Sequence, residues 1–397
     1  MFPNLKTLEL WHVSGKSIPF IPLFLSPRTI VIDIGFIRSD SPVAMVAPMV
    51  AAVPMLSPNL QEITLHSLPV NPMITAAVSE MLLANTPNTL RSVHVDLPLT
   101  DEAREVISKL PNLRELSVTI EKDVSVPSVV LPTLTRLTVK FNHNGDWLRM
   151  FHGATFGKLE VIAFYLRSGQ IGDFLEAFER AALTASIQNT LSGFYLITPC
   201  SWNSNYSSLL PLTHLTRLRI EFSCGDGCSS RVDDDIITNL ARVMPRLDTL
   251  RLGNPPCCEI PIGVTIKGLA ILAKCCPDID DLRIHFQVGS LSVPPAIHGT
   301  IPNIESATLR RDCALTGLCV GKIPMPEESV SVVALTLARI FPHLEDIECA
   351  DENWEKVAHT ICTSREIFDY SGKEFLSSFP RSDFSNTSPG AALENGN

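Results

Sequence analysis

One short phrase recurs along the chain: an apolar residue, often a proline, then Leu-x-x-Leu-x-apolar. It reads Phe2-Pro3-Asn4-Leu5-Lys6-Thr7-Leu8-Glu9-Leu10 at the start and Phe341-Pro342-His343-Leu344-Glu345-Asp346-Ile347-Glu348-Cys349 near the end. Taking the first Leu as anchor, copies fall at Leu5, Leu60, Leu113, Leu134, Leu159, Leu215, Leu247, Ile279, Ile304 and Leu344. Weaker copies begin at Leu90 and Leu191, and a degenerate one lies around Ile30 to Ile34. Self-similarity at a spacing of about 20–40 residues marks a stacked-repeat protein. Length alone, 397 residues, would suggest two or three globular domains. Stacked units predict one elongated solenoid instead.

The end of each phrase alternates, so Leu8 and Leu10 face one side and Thr7, Glu9 and Trp11 the other. Leu5 turns into the same interior as Leu8 and Leu10. Each phrase is thus one short strand with a buried and an exposed row, and parallel stacking merges the buried rows into a core that no unit could form alone. Between phrases the period becomes helical. Thr100 to Leu110 starts with a capping residue and acids, and its apolar Ala103, Val106, Ile107 and Leu110 fall at helix spacing. Val232 to Met244 and Thr265 to Cys276 repeat the plan, and Pro245 and Pro277 end those helices. The apolar stretch Pro42 to Leu56 reads as a degenerate helix against the core. The fold predicted is α/β: a leucine-rich-repeat solenoid, or horseshoe, with a concave parallel β-sheet and convex helices. About 12–13 degenerate repeats would fill residues 1–368, with Glu355 to Phe368 as a final capping helix. Residues 369–397, rich in Ser, Asn, Gly and Pro, read as a disordered tail.

Gly268-Leu269-Ala270-Ile271-Leu272-Ala273-Lys274-Cys275-Cys276-Pro277-Asp278-Ile279-Asp280-Asp281-Leu282-Arg283-Ile284 resembles the cysteine-containing leucine-rich repeat of F-box proteins, where a helix ends in Cys-Pro and runs into Leu-x-x-Leu-x-Leu. Other copies replace that Cys by Leu110, Met244 or Phe341. The segment from Val333 to Ile347, followed by Trp354-Glu355-Lys356-Val357-Ala358, resembles the closing repeats of fungal F-box-type proteins. The resemblance implies the substrate-binding part of an F-box ubiquitin-ligase receptor, non-catalytic itself, holding a target protein on its concave face. That family carries an F-box ahead of its repeats, whereas this sequence opens inside a repeat strand at Met1-Phe2-Pro3. A cullin-ligase adaptor is therefore expected as a partner only if an F-box exists upstream. The alternative reading is a leucine-rich regulator or inhibitor of another protein, such as a small GTPase.

Composition narrows the partners. The formal net charge is −10 and no long basic run appears, which disfavours nucleic acid. The eleven cysteines lack two paired ligand sets at finger-like spacing, so they read as thiols in a reducing compartment, with Cys224 and Cys228 the residual zinc candidates. The segment Pro42 to Leu56 is too short to span a bilayer, and the first residues form no apolar leader. Cytoplasm or nucleus is the expected location, with no membrane partner. The sequence holds no Gly-x-Ser-x-Gly, Walker loop, His-Glu-x-x-His or dinucleotide fingerprint, so neither an enzyme nor a cofactor is expected. Asp233-Asp234-Asp235 reads as a helix start, not a metal cluster.

The candidate site residues are the exposed ones on the strands. The site between the later two leucines reads Tyr195, Arg219, Arg251, Arg283 and Thr308 in successive repeats, with Arg217 and Arg310 flanking. Parallel neighbours lie about 4.8 Å apart, so stacked arginines call for neutralisation. Glu221, Asp281 and Asp248 could supply it internally. An acidic or phosphorylated ligand could supply it in trans, using the planar fork of Arg. Trp11, Tyr165, Tyr195 and Trp202 form a second, aromatic set suited to protein contact.

Overall fold

A computed structural model describes residues 2–35, 43–68, 70–84, 89–120, 130–141, 155–167, 171–184, 186–199, 206–223, 232–253, 263–284, 286, 313–321, 325–349 and 351–370. The chain is α/β, and its main element is a 13-stranded parallel sheet flanked by helices. The strands are β1 (Thr7–Trp11), β2 (Val31–Gly35), β3 (Glu62–Leu65), β4 (Ser92–Pro98), β5 (Glu115–Ile120), β7 (Arg136–Phe141), β9 (Val161–Leu166), β10 (Gly193–Pro199), β11 (Arg217–Ser223), β12 (Thr249–Leu252), β13 (Asp281–Ile284), β14 (Gly317–Gly321) and β15 (Asp346–Cys349), in spatial order of sequence. Two further short strands, β6 (Val130–Leu131) and β8 (Thr155–Phe156), pair with each other.

Twelve of the thirteen main strands follow an anchor read from the sequence. Among the phrases, the anchor at Ile304 lies outside the described residues, as do Thr308 and Arg310. The strand that pairs with β13 is instead β14, which follows Leu315-Thr316. Leu315, Leu318 and Val320 are fully buried there, so this unit obeys the same spacing with a glycine between its leucines. Trp147, Trp202, Cys224, Cys228, Cys257, Cys258 and the tail 371–397 also lie outside the described residues.

Helices form over the stretches that the period marked, and also at Pro72–Ala84 and Ile171–Thr184, which the sequence reading did not single out. Helix Asp101–Ser108 is capped by Thr100, whose hydroxyl accepts from the Ala103 N–H, and it buries Ala103 and Ile107. Helix Asp234–Val243 is capped by Asp233, and helix Ile266–Cys275 by Thr265. Helix Val43–Leu56 keeps Pro48 and Pro54 inside it and buries Val46, Ala47, Met49, Val50 and Val53. The last helix, Glu352–Tyr370, includes the expected Glu355 to Phe368 and runs beyond it at both ends. Helix faces and inward strand rows merge in a single core. Leu5 and Leu10 are only half-buried against it, while Leu8 is buried.

Two devices tie neighbouring units together, the first at four junctions and the second at one, and the leucine pattern does not reveal either. The residue just before an anchor often carries a hydroxyl, and that hydroxyl donates to the carbonyl of the preceding anchor. Thr29 reaches Leu5 O at 3.1 Å, Thr89 reaches Leu60 O at 2.8 Å, Thr133 reaches Leu113 O at 2.9 Å and Thr190 reaches Leu159 O at 2.8 Å. Each such bond gives a backbone carbonyl a partner from the next unit, and the Leu5 carbonyl also accepts from the Ser26 hydroxyl at 3.3 Å. In the second device, the Asp234 carboxylate accepts from the backbone N–H and the hydroxyl of Thr265, at 2.8 and 2.7 Å. The approach is close enough that a Cβ on Gly268 would sit 2.4 Å from Asp234 Oδ1. The acids at this helix start therefore cap one unit and clasp the next.

Cys276, at the Cys-Pro position, is fully buried. Its thiol points at Met244 O (3.5 Å) and Ala241 O (3.7 Å), the end of the preceding helix. Burial pushes this thiol up to about 12, so it stays a neutral donor.

Candidate functional site

The outward strand rows form a face that the core does not use. Register aligns Tyr195, Arg219, Arg251 and Arg283 as direct neighbours on β10, β11, β12 and β13, as the spacing predicted. Beyond Arg283 the same row continues with Cys319 and Glu348, not with a threonine.

The arginines are neutralised largely from within. Asp281 sits beside Arg283 on one strand and accepts from Arg251 Nε at 2.8 Å and from Arg251 Nη2. Its carboxylate also lies 3.8 Å from Arg219 and 4.0 Å from Arg283. Glu221 stands 4.0 Å from Arg251, and Glu348 3.6 Å from Arg283. Asp248 makes no ion pair with these arginines among the described residues. Burial works against the Arg251 charge, but the hydrogen bonds and charge of Asp281 outweigh it, with help from Glu221, and hold its pKa above the usual value. Arg251 is thus a structural cation, clamped by a fork geometry. Arg217, on the outer row of β11, has no acidic partner among the described residues.

The aromatic set divides. Tyr165 and Tyr195 are on adjacent strands, β9 and β10, while Trp11 is on β1, about 29 Å away across six strand spacings. Each tyrosine ring is covered by a cation: the Lys140 ammonium lies 5.6 Å from the Tyr165 centroid and the Arg219 guanidinium 5.2 Å from that of Tyr195. A Cβ at Gly193 would lie 3.2 Å from Tyr195 Cε2, so the ring leans over a glycine. Trp11 does the same on β1, its indole covering Gly35 of the neighbouring strand.

Underneath, on the core side of β9 and β10, Phe164 and Phe194 pack with Phe174 and Phe178, with centroid separations of 4.8 to 6.3 Å. Dense ring packing beneath the two tyrosine-bearing strands makes them a stiff base.

Sequence reasoning named Tyr165 and Glu221 but not the row that they share, two residues beyond the arginine row. It carries Lys140, Tyr165, Ile197 and Glu221 as direct neighbours. Lys140 pairs with Asp96 at 2.5 Å, and His66 lies 3.5 Å from the same carboxylate. A depression of about 350 Å³ opens here, with Asp96, Thr119, Lys140, Tyr165, Arg167 and Ile197 among its walls. Carrying the strand alternation one step further would have found this row. A histidine also sits in the middle row: His94 is 3.5 Å from Glu115, and desolvation lowers its pKa against the opposing pull of that carboxylate.

Among the described residues, no group of three or more His, Cys, Asp or Glu is placed to hold a metal ion. No helix among them is long and apolar enough to cross a membrane. In comparisons with known proteins, no family model and no curated protein matches the chain.

Proposed function

We propose that the chain is a leucine-rich-repeat horseshoe that acts as a non-catalytic protein-recognition scaffold, similar to the substrate-binding part of an F-box ubiquitin-ligase receptor. The parallel sheet would line the concave side and the helices the convex side. The observation that carries this reading is the outward strand face: in-register rows of tyrosines and arginines, outside the core and held stiffly by the packed rings below. Rigid exposed aromatics and arginines are what protein interfaces use as anchors. The receptor performs no chemistry itself; a ligase that recruits it would modify the bound target. A cullin-ligase adaptor joins only through an F-box linked to these repeats.

The test is quantitative affinity capture with three forms of the chain: wild type, Tyr165→Ala/Tyr195→Ala on the strand face, and Glu105→Ala/Lys109→Ala on a helix. One set of proteins should fall at least about tenfold with the strand-face variant and hold steady with the helix variant. Equal capture by all three overturns the proposal.

A further inference from the structure

We infer that the stripe formed by β9 and β10 seats an extended protein segment whose apolar or aromatic side chain is flanked by carboxylates. This deepens the recognition reading above and rests on it.

The outward residues of these two strands are Val161, Ala163, Tyr165, Gly193, Tyr195 and Ile197, with no charge among them. Charged side chains border the stripe on both sides, so an apolar centre has a polar rim, the anatomy of a protein interface. Its rings are already ordered by Lys140, Arg219 and the phenylalanines below. Ordering before binding lowers the entropy lost on binding. The depression beside Tyr165 and Ile197 is large enough for an apolar or aromatic side chain.

The charge balance selects the flanks. The acids Asp96, Glu115, Glu221 and Asp281 on this part of the face each have a cation within ion-pair reach, whereas Glu160, exposed just before Val161, has none among the described residues. Two arginines have no acid within ion-pair reach among the described residues: Arg167, exposed on the wall of the depression, and Arg217, in register with Gly193 and Val161 at the other end. One unpaired arginine thus stands toward each end of the stripe. Val161 and Arg167 are six residues apart on one strand line, about 20 Å, which an extended segment of about six residues spans. The two arginines stand apart and do not converge. A phosphate favours several donors meeting at one point, whereas one fork suits one carboxylate.

The experiment is selection of a random dodecapeptide library against the full chain, followed by fluorescence anisotropy of the selected peptides. The expected consensus is an aromatic or aliphatic residue with Asp or Glu on both sides. Those peptides should weaken at least about tenfold with Tyr165→Ala/Tyr195→Ala and, separately, with Arg167→Ala/Arg217→Ala. Added salt and Asn/Gln replacement of the acids should weaken them too. The arginine pair keeps the test informative if the tyrosine variant folds poorly by circular dichroism. Selected peptides without acidic enrichment, or no selection above background, would overturn the inference. So would binding that survives the arginine variant, or tighter binding of a phosphoserine peptide or an oligouridine. If strand-face-dependent capture persists while these peptides fail, the scaffold reading stands and only the occupant falls.

Discussion

The two ends of the sheet are finished differently. At β15, helix Glu352–Tyr370 packs over the strand and over helix Val330–Ile340, and Trp354, Val357 and Ile361 are buried. At β1, Phe2, Trp11, Phe20 and Leu23 are each more than half exposed. Two tryptophans of equal intrinsic hydrophobicity thus have opposite fates, 0 % exposed for Trp354 and 54 % for Trp11. In a stacked repeat each unit gains most of its stability from its neighbours, so an end unit depends on whatever covers it. The contrast teaches that position decides the fate of such a ring: Trp354 lies on the covering helix and packs inward, whereas Trp11 lies on the outward row of β1.

The largest expected effect is at the covered end. Trp354 packs edge-to-face on Phe286 at 5.5 Å, and Trp354→Ala should cost about 3–5 kcal/mol in urea unfolding. Trp11→Ala should cost well under that; equal costs would mean that the first strand's indole is a core residue and would break the comparison. Next comes the clasp between interior units. Asp234→Ala leaves the Thr265 N–H and hydroxyl without their acceptor and should cost about 1–3 kcal/mol. A loss as small as that of an exposed carboxylate would show that water replaces the clasp.

On the outward face, Asp281→Asn removes the carboxylate shared by Arg219, Arg251 and Arg283. Because all of these are partly exposed, the cost should be about 1 kcal/mol and should change with salt. A pH effect follows from His94. Its folded pKa lies below the ordinary value of 6.5, so the unfolded state binds more protons in the interval between them. Stability should therefore rise with pH through that interval and fall as pH drops below 6.5. His94→Asn should flatten this slope, with the neighbouring His66, Glu115 and Asp96 left in place; an unchanged slope assigns it elsewhere. The smallest effect is Trp11→Ala itself, about 1 kcal/mol or less, since more than half of its ring is already exposed to water.

Much of the fold was legible because the leucine spacing states which side chains share a face. Leu218, Leu250 and Leu282 are in register because each sits at the same place in its phrase. β14 was less legible: its glycines weaken the strand signal, although Leu315 and Leu318 keep the spacing. The alignment of Tyr195 with the three arginines was readable from position alone. Which arginine is consumed was not, because Arg251 and Arg283 occupy equivalent places while only Arg251 donates two hydrogen bonds to Asp281.

The sequence by itself determined the alternation, the helix starts and the neighbours along each row, since these follow from local periodicity and the fixed geometry of strands and helices. Only the tertiary structure decided where charge is cancelled and where it is left over. A carboxylate finds its cation across strands about thirty residues apart in sequence, as Asp281 finds Arg251, and the outcome depends on side-chain reach. Arg167 and Arg217 stay unmatched for the same reason: no acid among the described residues is placed to meet them.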